Sequence, residues 1–278
     1  PEVYGELPAV CFAEEIDTPG EGQIRALVTV AGNPALSTPN AGRLATALAS
    51  LEFMVSVDIY LNETTRHANV ILPAASTLTR GHYDLALYNL AIRNVARYSP
   101  PVFPLADGEL DEWRILLHLA AIASGQGAAP DVDALDDLVA AAHVQREVAS
   151  SGSPITGRDA GAILAELAAR RGPERLVDLL LRSGPYGDHF GVRPDGLTLA
   201  VLEAHPHGID LGPLQPRVPG VLRTPSGKIE LAPAPLLEDL PRLRAALGNG
   251  VADGFVLIGR RDLRSNNSWM HNLPLLAG

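Results

Sequence analysis

The chain is poor in the residues that staple, span or grip nucleic acid. Among 278 residues there is one cysteine, Cys11. One thiol closes no internal disulfide and builds neither an iron–sulfur site nor a zinc knuckle. Cys11 is expected as a small packing residue in reduced, cytoplasmic surroundings. No apolar run reaches the ~18 residues of a membrane helix, so no direct membrane span is expected. Lys and Arg number 22 against 32 Asp and Glu, a net charge of −10. That balance excludes a general nucleic-acid binder, which needs a basic face, but leaves room for a local basic pocket. There is no GxGxxG, no Walker A sequence, no nucleophile elbow, no internal repeat and no low-complexity tract. Residue 1 is Pro, no signal-peptide pattern follows, and the last strand-like segment stops at Leu276-Ala277-Gly278. The expectation is an internal piece of a longer protein.

What is present is enough for a large core: 46% hydrophobic and 19% charged residues. The most ordered pattern runs from Leu27 to Pro73. Leu27–Ala31 is a β-branched run closed by Gly32-Asn33-Pro34, and it reads as a strand buried on both faces. Residues 40–50 place Leu44, Ala47, Leu48 and Leu51 at helical spacing. Phe53–Val57 is a second strand. Asn62 is a candidate cap for a short helix ending near His67, and residues 69–72 form a third strand before Pro73. Alternating strands and helices predict a parallel sheet, Rossmann-like, with its ligand beyond the carboxyl ends of the strands. Gly32-Asn33-Pro34 and Ser56-Val57-Asp58 both fall on that edge.

Residues 74–110 read as loops with a short strand returning over the same edge. Helices are predicted over 111–124, over 135–149 with Asp133 as cap, over 156–171 with Thr156 and Asp159 as a capping box, and over 173–182. Residues 184–226 are Gly- and Pro-rich and read as a surface wrap. Thr224–Gly227 is a turn, 228–231 a strand, 236–247 a short helix, and 255–258 a strand opening a new part.

Three constellations could carry chemistry. Asp58 either accepts two hydrogen bonds from a guanine edge or ribose hydroxyls, or serves as a turn aspartate. Gly32-Asn33-Pro34 either lets a ligand approach the backbone or is an ordinary turn. Residues 260–272 gather three Arg, three Asn, two Ser and a His after a strand, a donor density that suits pyrophosphate. His205-Pro206-His207 with Asp188-His189 offers no recognisable metal-ligand set.

Taken together, several stretches resemble the molybdopterin oxidoreductase family, of the dimethyl sulfoxide reductase, formate dehydrogenase and nitrate reductase type. Val57 to Pro73 resembles that family's Asp … Glu-Thr … Ala-Asp-Val-Val-Leu-Pro signature, with Asn69 in place of its Asp. Gly32-Asn33-Pro34 is similar to its Gly-Asn-Pro loop, and Asp111-Glu112-Trp113 to its Asp-Asp-Trp helix start. Thr224 to Leu231 resembles its Thr-Pro-Ser-Gly-Lys turn, and 259–272 the opening of its last domain. The resemblance implies a bis-molybdopterin guanine dinucleotide cofactor carrying molybdenum or tungsten. It implies that Gly32, Asn33, Pro34, Ser56, Asp58, Arg80 and Asp111 border one guanosine end, with Arg80 where a Lys is common. It implies that Arg260, Arg261, Asn266, Ser268, His271 and Asn272 reach pterin and phosphate. The metal ligand and a 4Fe-4S cluster are expected outside this piece, so no catalytic or metal-ligating residue is expected within it. The expected plan is α/β: residues 1–126 as part of the dinucleotide-binding domain, 127–250 as a helical, loop-rich connection, and 251–278 as the start of a β-barrel-like domain. A small-molecule substrate and an electron-transfer subunit are the implied partners. The alternative is a non-catalytic electron-transfer relative that has lost the molybdenum cofactor.

Overall fold

The computed structural model describes residues 6–248, 254–255, 257–259 and 274. The chain divides into two compact units, residues 1–214 and 215–278.

The first unit is mixed α/β. After a 3-10 turn at Ala9–Cys11, helix α1 covers Phe12–Asp17, and β1 covers Ala26–Val30. Two helices follow, α2 (Pro34–Ser37) and α3 (Ala41–Ala49), then β2 (Phe53–Val57) and β3 (Val70–Leu72). The three strands form a parallel sheet in the order β1-β2-β3. Their register aligns the carboxyl ends: Val30 pairs with Val57, and Val57 with Leu72. The ladder continues past the strands, as Ala31 N–H donates to Val57 O at 2.9 Å and Asp58 N–H to Leu72 O at 3.2 Å. One sheet edge therefore carries residues 31–34, 58 and 73 onward, as the alternating pattern predicts.

Burial shows which face matters. Met54 packs with Ile16, Leu44 and Leu48 of α1 and α3, and Leu27 joins them. On the other face Val55 and Val57 are buried, but Val28 and Val30 of β1 are 52% and 47% exposed. The expectation that β1 is buried on both faces is therefore wrong. It is an edge strand of the sheet, and among the described residues no helix covers its outer face, which apolar content alone does not reveal.

The rest of the unit is a helical cluster tied by two short antiparallel ladders. Strand β4 (His82–Tyr83) pairs with β6 (Tyr98–Ser99). Strand β5 (Arg93–Ala96) pairs with β7 (Ile209–Pro213). Between them run α4 (Glu112–Ala123), α5 (Val132–Ala149), α6 (Ala160–Leu167), α7 (Gly172–Ser183) and α8 (Leu199–Glu203). The cap of α5 is Asp131, which accepts from Ala134 N at 3.0 Å, and not Asp133. Asp159 alone caps α6 through Ala162 N at 2.6 Å, and Thr156 lies in the preceding turn. The capping-box reading placed the helix start too early, because Asp159 competes for it with a shorter, charged acceptor.

The Gly- and Pro-rich stretch is a surface wrap only in its second part: residues 203–226 are exposed or half-buried, but 184–202 enters the core. Leu197, Leu199 and Leu202 are buried with Ala96, Tyr98, Val177 and Leu181. Phe190 closes a second cluster with Val144, Ile155, Ile163, Leu167 and Leu179. Glycines at 187 and 196 allow it: a Cβ on either would overlap the backbone of the facing segment.

In the second unit, Gly227 N–H donates to Thr224 O at 3.0 Å, which closes the predicted turn. Residues 228–231 are not a strand, and the predicted helix is two: α9 (Ala234–Glu238) and α10 (Leu240–Gly248). No strand covers Phe255, Leu257 or Ile258, and no closed barrel occurs among the described residues. No helix among them is long and apolar enough to cross a membrane.

Candidate functional site

The carboxyl edge of the sheet is built by a bend. Ala31 takes φ +50°, a left-handed conformation that costs a residue with a Cβ, and turns the chain out of β1. Gly32 follows. A Cβ there would meet nothing nearer than 3.8 Å, so neighbouring packing leaves its surface open. Pro34 then occupies the first turn of α2, where its missing N–H costs nothing.

Asn33 is pinned across the edge. Its Nδ2 donates to Glu63 Oε2 at 2.8 Å, and its Oδ1 accepts from Thr64 Oγ1 at 2.6 Å. Thr64, fully buried, also accepts from Ala35 N at 3.0 Å. The amide of Asn33, and then the backbone N–H of Glu63 itself, hold the Glu63 carboxyl below the usual carboxylate range. Asp58 organises the adjacent loop: Oδ1 accepts from Tyr60 N at 3.0 Å and Oδ2 from Asn62 Nδ2 at 3.2 Å. Asn62 Oδ1 in turn accepts from the N–H groups of Thr64 and Thr65, but the helix is one 3-10 turn, Thr65–His67, and its N-cap is Thr64, not the expected Asn62. A carboxylate has about four acceptor positions, so Asp58 keeps capacity for an outside donor. Ser56 is different. It is fully buried, and its hydroxyl is bonded to Thr29 Oγ1 at 2.8 Å. Its side chain belongs to the sheet interior.

Arg80 and Asp111 come together elsewhere in the unit. Both line a cavity of about 620 Å³, with Gly81, Tyr83, Tyr98, Trp113 and Glu174. Arg80 follows a 3-10 turn whose cap is Ser76, and its guanidinium pairs with Glu112. Asp111 stands at the N-cap of α4 but makes no capping bond, and its Oδ1 is buried without a hydrogen-bond partner. Buried polar atoms are nearly always bonded, so an orphan carboxylate oxygen in a cavity wall asks for a donor from outside. Also in the lining, the Tyr98 hydroxyl donates to Glu174 Oε1. Burial first, then Glu174, pushes the phenol well above its ordinary pKa. The volume falls within the ~300–1,000 Å³ of small-molecule sites.

Comparison with known proteins agrees with this edge. Residues 4–80 match the family model described as molybdopterin oxidoreductase. That segment belongs to the molybdopterin oxidoreductase family. The chain is similar to the assimilatory nitrate reductase catalytic subunit of Bacillus subtilis, 35% identical over 126 residues, which are 44% of this chain and 17% of that one. It is similar to the F420-dependent formate dehydrogenase subunit alpha of Methanocaldococcus jannaschii, 35% identical over 114 residues, 38% of this chain and 15% of that one. A nitrate reductase of Symbiobacterium thermophilum is 35% identical over 103 residues, 36% of this chain and 13% of that one. The chain thus spans under a fifth of the length of these relatives.

A molybdopterin cofactor, which the family implies, would find suitable groups here. Asp111 offers an acceptor to ring N–H donors, Arg80 a cation, and Gly32 an open backbone. Arg260, Arg261, Asn266, Ser268, His271 and Asn272 lie outside the described residues. Reading the sequence for the site missed Glu63, Thr64, Tyr98 and Glu174. The first two had a local signal in the polar run 62–65. Tyr98 and Glu174 are 76 residues apart and meet only in the fold.

Proposed function

We propose that this chain holds guanosine ends of a bis-molybdopterin guanine dinucleotide in a molybdenum or tungsten oxidoreductase. The observation that carries the reading is the unpartnered Oδ1 of Asp111 in the wall it shares with Arg80. A carboxylate there matches the adjacent N–H donors on a guanine edge and rejects an adenine edge, which presents an acceptor in that place. Asn33, Asp58 and the Gly32 backbone supply a second polar surface at the sheet edge, with Glu63 and Thr64 holding the Asn33 amide in one orientation. Residues Arg260, Arg261, Asn266, Ser268, His271 and Asn272 are proposed to reach pterin and phosphate. When bound, the metal held by the pterins supplies oxygen-atom, hydride or electron transfer on a small molecule; relatives are named for nitrate and formate. The groups of this chain bind, orient and screen the cofactor. A separate subunit would carry the electrons.

The test is cofactor content. Protein with Asp111→Ala or Asp58→Ala is purified from a host that makes the cofactor, and molybdenum and released guanine are measured. Losing a hydrogen bond to a charged group costs about 1.5–3 kcal/mol, roughly 10- to 100-fold in affinity. Both contents should fall together. Full occupancy in both variants overturns the reading.

A further inference from the structure

The cavity has an aromatic wall, and that wall is set from a distance. Gly172 opens α7 in the left-handed region, φ +56°, and is buried. A Cβ on it would lie 2.7 Å from Cε2, 2.8 Å from Cδ2 and 3.1 Å from Cζ2 of Trp113, so its backbone rests on the indole. The Gly172 N–H donates to both carboxylate oxygens of Asp136, at 3.1 and 3.2 Å. Asp136, on α5, is 3% exposed, with Arg175 at 3.4 Å and Arg171 at 3.7 Å. A second tie also runs to α5. The Arg114 guanidinium lies 4.6 Å from the Trp113 ring centroid and donates to Asp133 Oδ1 at 2.9 Å. Two neighbours of the indole are thus anchored to one helix, and Trp113, Arg171 and Pro173 line the cavity with Asp111.

We infer that Asp136 and Gly172 are positioning residues that set the Trp113 indole as an aromatic wall against the ring whose N–H donors reach Asp111. This rests on the reading that the cavity receives a guanine end. Glycine is required twice over at position 172, by the left-handed backbone and by the ring beside it. Any side chain there displaces the indole, while Asp111 and Arg80 stay in place. Contact with an aromatic wall, edge-to-face or offset, adds affinity that polar contacts to Asp111 alone do not supply.

Two measurements test it on the 278-residue protein. The sequence has two tryptophans, so in a Trp269→Phe background the fluorescence is that of Trp113. Gly172→Ala and Gly172→Asn should each shift its emission and raise its quenching by acrylamide. Asn tolerates the left-handed backbone, so agreement between the two assigns the effect to the added Cβ. Unchanged quenching in both overturns the positioning role, with no ligand involved. Guanosine diphosphate is then titrated calorimetrically. Gly172→Ala should weaken it at least tenfold with Trp113 present and less than twofold in a Trp113→Ala background. Equal losses in the two backgrounds overturn the route through Trp113. Binding that Asp111→Ala leaves unchanged, or no binding by the unaltered protein, overturns the guanine reading and the aromatic-wall role with it; the quenching result then judges the placement of the indole alone.

Discussion

Replacing Asp136 with alanine removes both carboxylate acceptors of the buried Gly172 N–H, and it strips one carboxylate from an ion cluster inside the helical part. Asp136 is 3% exposed, and the side chain of Arg175 is 5% exposed. Breaking a buried pair by removing one partner costs about 3–5 kcal/mol, because the other charge stays buried. Here Arg175 keeps Asp137 Oδ1 at 2.6 Å and Arg170 O at 2.8 Å, so the lower end applies, about 3 kcal/mol. A unit of this size has a urea m-value of about 2–3 kcal/mol/M. The midpoint followed by far-UV circular dichroism should therefore drop by about 1–1.5 M with m unchanged. Asp136→Asn keeps an acceptor for Gly172 and should recover about half of the loss. A shift below ~0.3 M for the alanine variant would refute the reasoning, since the cluster would then contribute no more than a surface pair.

Other perturbations have signs that the structure sets. Gly81→Ala would place a Cβ against the Tyr98 hydroxyl and 2.8 Å from its Cζ, and Tyr98 is buried, so overpacking should cost about 1–3 kcal/mol in the same urea assay. Asp178 and Asp188 should respond to pH with opposite signs. Burial, the leading cause, raises the Asp178 pKa despite its bond from Leu199 N at 2.8 Å. Its ionised form is penalised in the fold above the unfolded carboxylate range. Asp178→Asn should therefore raise the urea midpoint at pH 7, and the gain should vanish below about pH 4. For Asp188 burial is the largest influence and acts upward, but Arg182, with the N–H groups of Phe190 and Gly191, outweighs it and lowers the pKa. That stability is present above the unfolded pKa and is lost as pH falls through the folded one, so Asp188→Asn should cost about 3 kcal/mol at pH 7 and far less in acid.

Much of the edge was legible because it is local. A parallel sheet follows from β-branched runs alternating with a helical repeat, and its carboxyl edge from the breakers at Gly32-Asn33-Pro34 and Asp58. The wrong readings share a cause. The outer face of β1, the absent strand at 228–231 and the buried segment after Gly184 all depend on which segment lies opposite, and no window of sequence records that. Asn33 and Asp58 could be read either as ligands or as turn residues. In the structure they already have internal partners, and Asp58 retains capacity for more.

By itself the sequence determined the class of the sheet, which residues share its carboxyl edge, and a family likeness in residues 4–80, because each of these is written in short-range periodicity and in breakers at strand ends. Only the tertiary structure decided that Ser56 faces inward, that Arg80 and Asp111 share one cavity, and that Gly172, 59 residues beyond Trp113 in the chain, carries no side chain because the indole occupies that space. Those facts depend on where helices and loops distant in the chain come to rest against one another, and close packing makes each of them sensitive to a single atom.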